Sequence, residues 1–246
     1  MPYLIGDGST TKPTTKMLIG NGAGGTVPIK KIVSGTGSST VEVWPGKKKF
    51  FDNFDRADQT LSTSADWNVI AQENPYVLWV VGNNVRVYND GTDGLRSSWC
   101  NWNDKCQTDV QYSKGKIVEI GNSSRGTWVL LHGNAGLTNS MGFQWTGSSL
   151  QLFSTIGTVT AVRGPSATKT QVVGDTMEIR AYRNSSNQWV YEGWVNNLVY
   201  CTWTDTTNVI ARGTSNRYVG FGMQRNRAFF NSTFSTQFSE WEGGDY

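Results

Sequence analysis

The chain has 246 residues and a net charge of +3, and only 17% of its residues are charged while 12% are aromatic, with 11 tryptophans. The basic residues are scattered apart from Lys47–Lys49, which excludes the basic footprint of a nucleic-acid-binding protein. No apolar stretch reaches the roughly 18 residues of a membrane span, so we expect no membrane insertion.

The first 46 residues differ from the rest, because they are rich in Gly, Ser and Thr and poor in aromatic residues. The segment also repeats itself, since LIGDG at Leu4–Gly8 returns as LIGNG at Leu18–Gly22. Each copy is an apolar pair followed by an Asp-Gly or Asn-Gly turn signal. IKKIV and TVEVW predict two more short strands. We therefore predict a small β-rich arm over residues 1–46 and a separate domain over residues 47–246.

Within this arm, Gly20, Gly22 and Gly25 have the G-x-G-x-x-G spacing of a dinucleotide-binding turn. Such a turn needs a helix after its last glycine, because the helix N-terminus holds the pyrophosphate. Here TVPIKKIV follows, and its Pro28 and β-branched residues oppose a helix. The glycines therefore predict a flexible turn, and no nucleotide or other cofactor is expected.

From Phe50 onward, apolar and polar residues alternate with the period of a half-buried strand. Only Asp55–Ala65 offers a short helical turn. The pattern predicts an all-β domain, an antiparallel two-sheet sandwich. Alternation predicts four sets of residues that each share one face of a strand: Val85 and Val87; Trp128, Leu130 and His132; Met177, Ile179 and Ala181; and Val219, Phe221 and Met223.

Groups that bind metals or catalyse reactions are sparse. The chain has one histidine, His132, and three cysteines, too few for a common zinc site. Cys100 and Cys106 either close a small disulfide loop or remain free thiols, and the sequence leaves both open. Asp90 and Asp93 in YNDGTDG have too few carboxylates nearby for a calcium site, so no metal is predicted.

A glycan hydrolase needs two carboxyl groups at a fixed separation. The only close glutamate pair is Glu240 and Glu242, which share one face of a strand in the last seven residues. Chain ends are usually loosely held, so a solvated strand end is the interpretation we favour. His132 is the sole candidate base and is expected at a strand end, bonded to backbone. No catalytic residue is predicted.

Sugar-binding sites combine an aromatic ring with amides and carboxylates that bind hydroxyl groups. The densest such mixture is LRSSWCNWNDKCQ, where Asn and Asp beside Trp indicate a loop. The alternative is that the first Trp ends a strand in the core and the second covers the edge of the sandwich. A second candidate is the hairpin QWVYEGWVNN. The predicted glycan-binding residues are Arg96, Trp99, Asn101, Trp102, Asn103 and Asp104.

From Lys49 the sequence resembles the concanavalin-A-like (laminin-G-like) jelly-roll modules found in minor tail proteins of phages that infect actinobacteria. The motifs that carry the resemblance are, in order, FFDNFDRADQTLSTSADWNVI, VVGNNVRVYN, GDTMEIRAYRNSSNQWVYEGWVNNLVYCTWTD, NRYVGFGMQ and FFNSTFSTQFSEWE. The N-terminal IVSGTGSSTVEVWPG is similar to a short β segment at the start of many such proteins. The resemblance implies a jelly roll whose closing strand returns beside its first strand.

The resemblance also implies a virion protein of the phage tail, made in the host cytoplasm and later exposed outside. MPYLIGDGST carries no basic or apolar region of a secretory signal, which fits this expectation. The predicted function is a non-enzymatic minor tail protein whose jelly roll contacts host cell-surface glycan. The alternatives are a purely structural tail component and a glycan hydrolase.

The arm is expected to attach the protein to the tail or to further copies of itself. So few short strands are marginal in water, and their open edges invite pairing with another chain. Tail tips are built on closed rotational symmetry, so we expect a homo-oligomer, a trimer first, or contact with other tail proteins. The residues predicted at these contacts are Leu4, Ile5, Leu18, Ile19 and Trp44.

Overall fold

The computed structural model describes residues 47–71, 78–88, 91–157, 159–229 and 231–246, together with four strands of the N-terminal segment. The chain divides into two units, residues 1–46 and 47–246, and each is described by itself. Within the described parts, no helix is long and apolar enough to cross a membrane.

The first unit contains two antiparallel hairpins. β1 (Leu18–Gly20) pairs with β2 (Thr26–Pro28), and β3 (Ile32–Thr36) pairs with β4 (Ser39–Trp44). After the G-x-G-x-x-G glycines the chain therefore enters a strand, not the helix that a dinucleotide turn requires.

The contacts predicted for the arm are not tested by this structure. Leu4 and Ile5 lie outside the described residues. Leu18, Ile19 and Trp44 lie on the arm's strands, but their side chains are outside the described part. The arm's role in attachment and assembly stays a prediction.

The second unit consists of two antiparallel sheets that pack face to face. The first sheet has the strand order β15-β14-β13-β12-β19-β10-β7, with β20 on β19, and the second has β18-β17-β16-β11-β21-β9-β8-β6, with β5 on β21. The strands are β5 (Lys49–Asp52), β6 (Gln59–Thr60), β7 (Trp67–Ala71), β8 (Leu78–Val81), β9 (Asn84–Val87), β10 (Gly94–Trp102), β11 (Gln111–Glu119), β12 (Gly126–Gly133), β13 (Asn139–Thr146), β14 (Ser149–Ile156), β15 (Val159–Thr168), β16 (Thr176–Arg183), β17 (Trp189–Val195), β18 (Leu198–Asp205), β19 (Tyr218–Ala228), β20 (Asn231–Phe234) and β21 (Gln237–Asp245).

Local turn chemistry explains several of the connections. Gly82 and Asn83 join β8 to β9 with φ of 57° and 62°, and Asn196 and Asn197 join β17 to β18 with φ of 49° and 64°. Two successive left-handed residues make the tight hairpin turn that matches strand twist, and Gly and Asn tolerate it best. A short 3₁₀ turn at Leu61–Thr63 lies inside the predicted Asp55–Ala65 range.

The core lies between the two sheets and contains three of the four sets that alternation placed on a shared face. Their members are at most 1% exposed: Val85, Val87, Met177, Ile179, Ala181, Val219, Phe221 and Met223. One end of the core is a cluster of rings, in which Trp67 makes edge contacts with Phe221 and Trp241 at 5.0 and 4.7 Å. Such packed rings are among the largest contributors to the stability of a core.

The closing strand β21 returns beside the first strand of the domain, as the motifs imply. Trp241 pairs with Asp52 across β21 and β5, and β11 lies on the other side. Asp245 is buried and accepts hydrogen bonds from the backbone of Lys48, Gln107 and Thr108 at 2.7–3.0 Å. The end of the chain is therefore firmly held, contrary to the expectation of a loose strand end.

Candidate functional site

The six residues predicted to bind glycan do not form one site. They span β10 and the loop after it, and successive side chains of a strand point to opposite faces. Trp99 and Asn101 lie on the outer face of the first sheet, whereas Cys100 and Trp102 belong to the core between the sheets.

Trp102 is part of the aromatic cluster of the core. Its ring stacks on Phe50 at 5.4 Å and on Trp241 at 5.6 Å, and it meets the edge of Trp67 at 5.1 Å. A ring held on three sides has no free face for a sugar. This placement matches the alternative that the second Trp of the motif covers the edge of the sandwich.

The remaining polar residues of the motif bond to neighbouring loops. Asn103 donates its backbone N–H to the carbonyl oxygen of Asp66 at 2.7 Å. Asp104 forms an ion pair with Lys48 at 2.5 Å. Partial burial alone would raise the pKa of this carboxyl, but the hydrogen bond from Lys48 outweighs it, so the pKa is lowered. Arg96 donates to the carbonyl oxygen of Leu95. Trp99 lines a cavity together with residues of the neighbouring strands.

That cavity, here called the cleft, lies on the outer face of the first sheet and has a volume of about 690 Å³. This is within the range of roughly 300–1,000 Å³ typical of small-molecule sites. The side chains around it are aromatic, aliphatic, hydroxyl and amide groups. They belong to Ile70, Trp99, Trp128, Leu130, Leu137, Thr138, Ser140, Gln144, Gln151, Phe153, Thr155, Thr160 and Val162, with Gly136 and Gly157.

One continuous row of residues crosses five strands along the cleft. Trp99 on β10 pairs with Gly222 on β19, which also pairs with Trp128 on β12. Trp128 pairs with Gln144 on β13, and Gln144 with Gln151 on β14. Directly paired residues have Cβ atoms about 4.5–5.5 Å apart. The register therefore places two indole rings and two amides side by side.

Glycine lets these rings lie against the sheet. A Cβ atom on Gly222 would be 2.1 Å from the ring of Trp99, and one on Gly142 would be 2.4 Å from the ring of Phe153. Trp99 and Trp128 are in contact, with centroids 4.5 Å apart and planes inclined by 46°. Trp99 is half-buried and Trp128 almost fully buried, so Trp99 is the ring with the freer surface.

The polar side of the cleft consists of uncharged groups. The Gln151 amide donates to the amide oxygen of Gln144, which leaves the Gln151 oxygen and the Gln144 nitrogen for other partners. Thr138 accepts a bond from Asn134 at 2.8 Å, and Thr155 lies 3.5 Å from the Thr160 hydroxyl. The Gln151 oxygen can accept a hydrogen bond from a ligand hydroxyl group, the Gln144 nitrogen can donate one, and the threonine hydroxyls can do either.

One wall of the cleft is the loop of residues 134–138 between β12 and β13. The carbonyl oxygen of Ala135 accepts bonds from the side chains of Asn68 at 3.0 Å and Asn101 at 2.9 Å, which holds the loop down on the sheet. Leu137 takes a left-handed φ of 49° and packs beside the rings of the cleft. Asn101 is fully buried beneath this loop, so it positions the wall.

The outer face of the second sheet has a different chemistry. Lys114 pairs with Glu242 at 3.2 Å, and Lys116 pairs with Glu240 at 2.8 Å. Arg180 forms an ion pair with Glu178 at 2.7 Å, and its guanidinium lies over the rings of Trp194 and Tyr246. Both glutamates considered as a catalytic pair are therefore held in ion pairs with lysines.

The second candidate, QWVYEGWVNN, is β17 with its turn, and it divides between the two faces as alternation requires. Trp189, Tyr191 and Val195 belong to the core. Glu192 and Trp194 lie on the outer face of the second sheet, where the indole N–H donates to the Glu192 carboxylate at 3.1 Å. The guanidinium of Arg180 covers the Trp194 ring at 4.0 Å.

His132 lies at the end of β12 and turns into the core with a left-handed φ of 51°. One ring nitrogen bonds to the carbonyl oxygen of Asp109 at 2.7 Å, as the sequence predicts, and must carry the proton. The other therefore accepts from the Tyr191 hydroxyl at 2.9 Å. Complete burial, with smaller contributions from Arg212 and Arg217, lowers the pKa of His132 to about 4. The ring is a neutral structural element, remote from the residues that line the cleft.

The cysteines and acidic groups of the described residues form no metal site. Cys100, Cys106 and Cys201 are buried free thiols, and burial raises the pKa of each one. Asp93 is paired with Arg227 at 3.4 Å, while Asp90 lies outside the described residues. No group of three or more possible metal ligands occurs in the described part of the chain.

Sequence reasoning found Trp99 but missed its partners in the cleft. Trp128 and Leu130 were placed together on one face of a strand, and that face is the outer one. The sequence does carry one signal, because Gly220 and Gly222 alternate with inward residues and leave room for large neighbours. The sequence contains no signal that Gln144 and Gln151 lie beside Trp99, because only the pairing of the strands brings these residues together.

Comparison with known proteins establishes the fold. No protein-family model matches the sequence, and no curated protein matches it. A protein of unknown function with a galectin-like fold from Bacillus subtilis has a TM-score of 0.52 and 9% identity, over 81% of this chain and 100% of that chain. The carbohydrate recognition domain of Emp47p has a TM-score of 0.50 and 12% identity, over 74% of this chain and 89% of that chain. The predicted jelly-roll sandwich is confirmed. The phage-tail context rests on the sequence motifs alone.

Proposed function

We propose that the domain of residues 47–246 binds a glycan in the cleft, without cleaving it. The observation that carries this proposal is the register row that sets Trp99 and Trp128 beside Gln144 and Gln151. The aromatic ring offers a flat apolar surface to one side of a pyranose, and the amides offer bonds to its hydroxyl groups.

Binding is favoured over hydrolysis by the positions of the acidic residues. A glycosidase holds two carboxyl groups about 5–5.5 Å or about 6.5–9.5 Å apart across the scissile bond. Among the described residues that line the cleft there is no aspartate or glutamate. Glu240 and Glu242 lie on the other sheet, where each is paired with a lysine.

The biological setting that we propose is a phage tail. The ordered series of motifs from Lys49 to Glu242 and the Val-Trp-Pro segment before it support this setting. In this proposal the arm of residues 1–46 attaches to other tail proteins or joins copies of the chain into a trimer. The jelly roll then presents the cleft to the host envelope outside the cell.

The experiment measures binding of the full-length protein to a glycan array and to host cell-wall fragments. Trp99→Ala is expected to weaken binding by about 1–3 kcal/mol, the scale of one aromatic contact. Trp194→Ala, which removes a ring from the opposite face, is the matched control and should bind normally.

The outcomes separate the three functions. Equal binding by the wild type and Trp99→Ala would remove the cleft as the site. No binding to any glycan, with the protein present in the assembled tail, would favour the purely structural role. New reducing ends released from a bound glycan would show hydrolysis.

A further inference from the structure

The described residues that line the cleft carry no charged side chain. The described residues of its two central rows are hydrocarbon, aromatic or amide side chains, or glycine. The first row is Ile70, Trp99, Gly222, Trp128, Gln144 and Gln151, and the second is Asn68, Asn101, Gly220, Leu130, Gly142, Phe153 and Val162.

Basic residues of the same strands are used elsewhere. Arg163 on β15 donates to the Ser154 hydroxyl at 2.8 Å and lies over the ring of Trp203 in the second sheet. Arg225 on β19 is fully buried and donates to the carbonyl oxygen of Thr92. Neither guanidinium is among the described groups that line the cleft.

This composition decides which ligands the cleft can accommodate. An anionic group that enters it loses hydration and meets only amides and hydroxyls, and burying a charge without a partner is costly. Hydrogen bonds between neutral groups carry no such cost, and each contributes about 0.5–1.5 kcal/mol. A sugar with hydroxyl groups alone fits both the polar groups and the aromatic floor.

We propose that the cleft selects uncharged glycans and discriminates against glycans that carry a carboxylate or phosphate there. This inference rests on the proposed function and specifies its ligand class. The outer face of the second sheet, in contrast, carries Lys114, Lys116 and Arg180. The uncharged lining is therefore specific to the face that forms the cleft.

The test uses pairs of oligosaccharides that differ by one group. Oligomers of galactose, glucose and mannose are compared with oligomers of the corresponding uronic acids, which have a carboxylate at C6, by calorimetric titration of the full-length chain. A neutral oligomer should bind at least about tenfold more tightly than its uronic counterpart, a difference of about 1.4 kcal/mol. Its Kd should also be unchanged between about 20 and 500 mM NaCl, because screening acts on charged pairs.

A charge-insertion variant gives the converse measurement. Gln151→Lys should reduce the ratio of the Kd of each uronic oligomer to that of its neutral counterpart by about tenfold, because the lysine can form a charge-assisted hydrogen bond with the carboxylate. Lys116→Gln on the second sheet is the control and should leave selectivity unchanged.

Two results would overturn the inference, and they are distinguishable. Equal or tighter binding of the uronic oligomer, abolished by Trp99→Ala, would refute neutral selectivity and leave glycan binding in the cleft intact. Absence of binding by every oligomer would refute both.

Discussion

His132 gives a direct test of the buried network, because it is the one histidine of the chain. Its pKa falls from the ordinary 6.5 to about 4 in the folded protein, chiefly through complete burial. Protonation would place a charge beside Arg212 and Arg217 and would end the bond accepted from Tyr191. The folded state therefore resists a proton that the unfolded chain accepts readily.

The direction of the effect follows from proton linkage. A group whose folded pKa is depressed contributes stability that is fully present above its unfolded pKa and is lost as the pH falls toward the folded pKa. For His132 the window runs from about pH 6.5 to about pH 4. With these two values the free energy of unfolding should fall by about 2 kcal/mol between pH 7 and pH 5. The carboxyls with lowered pKa, such as Asp109, contribute mainly below that range.

The measurement is urea unfolding of the full-length protein at pH 5, 6 and 7, with the histidine Hε1 resonance titrated in parallel. His132→Asn is the matched variant, because Asn does not titrate and tolerates the left-handed φ. Its stability will be lower throughout, but the slope between pH 7 and pH 5 should flatten. A flat profile in the wild type, or the same slope in the variant, would refute the assignment.

Three further predictions concern the two faces of β10 and the wall of the cleft. Trp102→Ala should lower the free energy of unfolding by about 3–5 kcal/mol, because it leaves a cavity in the aromatic core, and should not change glycan affinity in conditions where the variant is folded. Asn101→Ala should speed amide exchange in the loop of residues 134–138 and weaken glycan binding by about 1 kcal/mol, the scale of one lost hydrogen bond. Gly222→Ala should reduce glycan binding, because the added Cβ would be 2.1 Å from the ring of Trp99. Urea unfolding, hydrogen exchange and calorimetric titration, respectively, check them.

Each of these has its own control. Trp194→Ala removes an indole from the outer face of the second sheet and should cost less stability than Trp102→Ala. Asn187→Ala, in a turn remote from the cleft, should leave exchange in the loop unchanged. Gly136→Ala also lies in the cleft, but its Cβ would come no nearer than 4.0 Å to Thr138, so binding should survive. Loss of binding in Gly136→Ala as large as in Gly222→Ala would contradict the steric argument.

Much of the fold could be predicted from local sequence. Alternation identified sets of side chains that share one face of a strand, since a period of two places every second residue on the same side. The resemblance implied hairpins at VVGNNVRVYN and at the Asn-Asn pair, and the structure has tight turns there at Gly82–Asn83 and Asn196–Asn197. The order of motifs also implied the closing strand beside the first, which β21 and β5 confirm.

The candidate site could be predicted only in part. Trp99 and Trp102 are three residues apart, and the Asn and Asp residues close to them in sequence predicted that both rings lie in one loop. They lie on a strand instead, so an odd spacing sends the two rings to opposite faces. The break in alternation at His132 was equally hidden, because it depends on a left-handed residue where β12 shifts its register against β19.

The sequence by itself determined that this chain forms strands and which side chains share a face of a strand, because these properties depend on residues close together in the chain. The tertiary structure alone decided that Trp99, Trp128, Gln144 and Gln151 share one row around Gly222. Those residues come from distant parts of the chain, and their contact depends on strand order and register. Register is set by the packing of the whole sandwich, so no short stretch of sequence encodes the cleft.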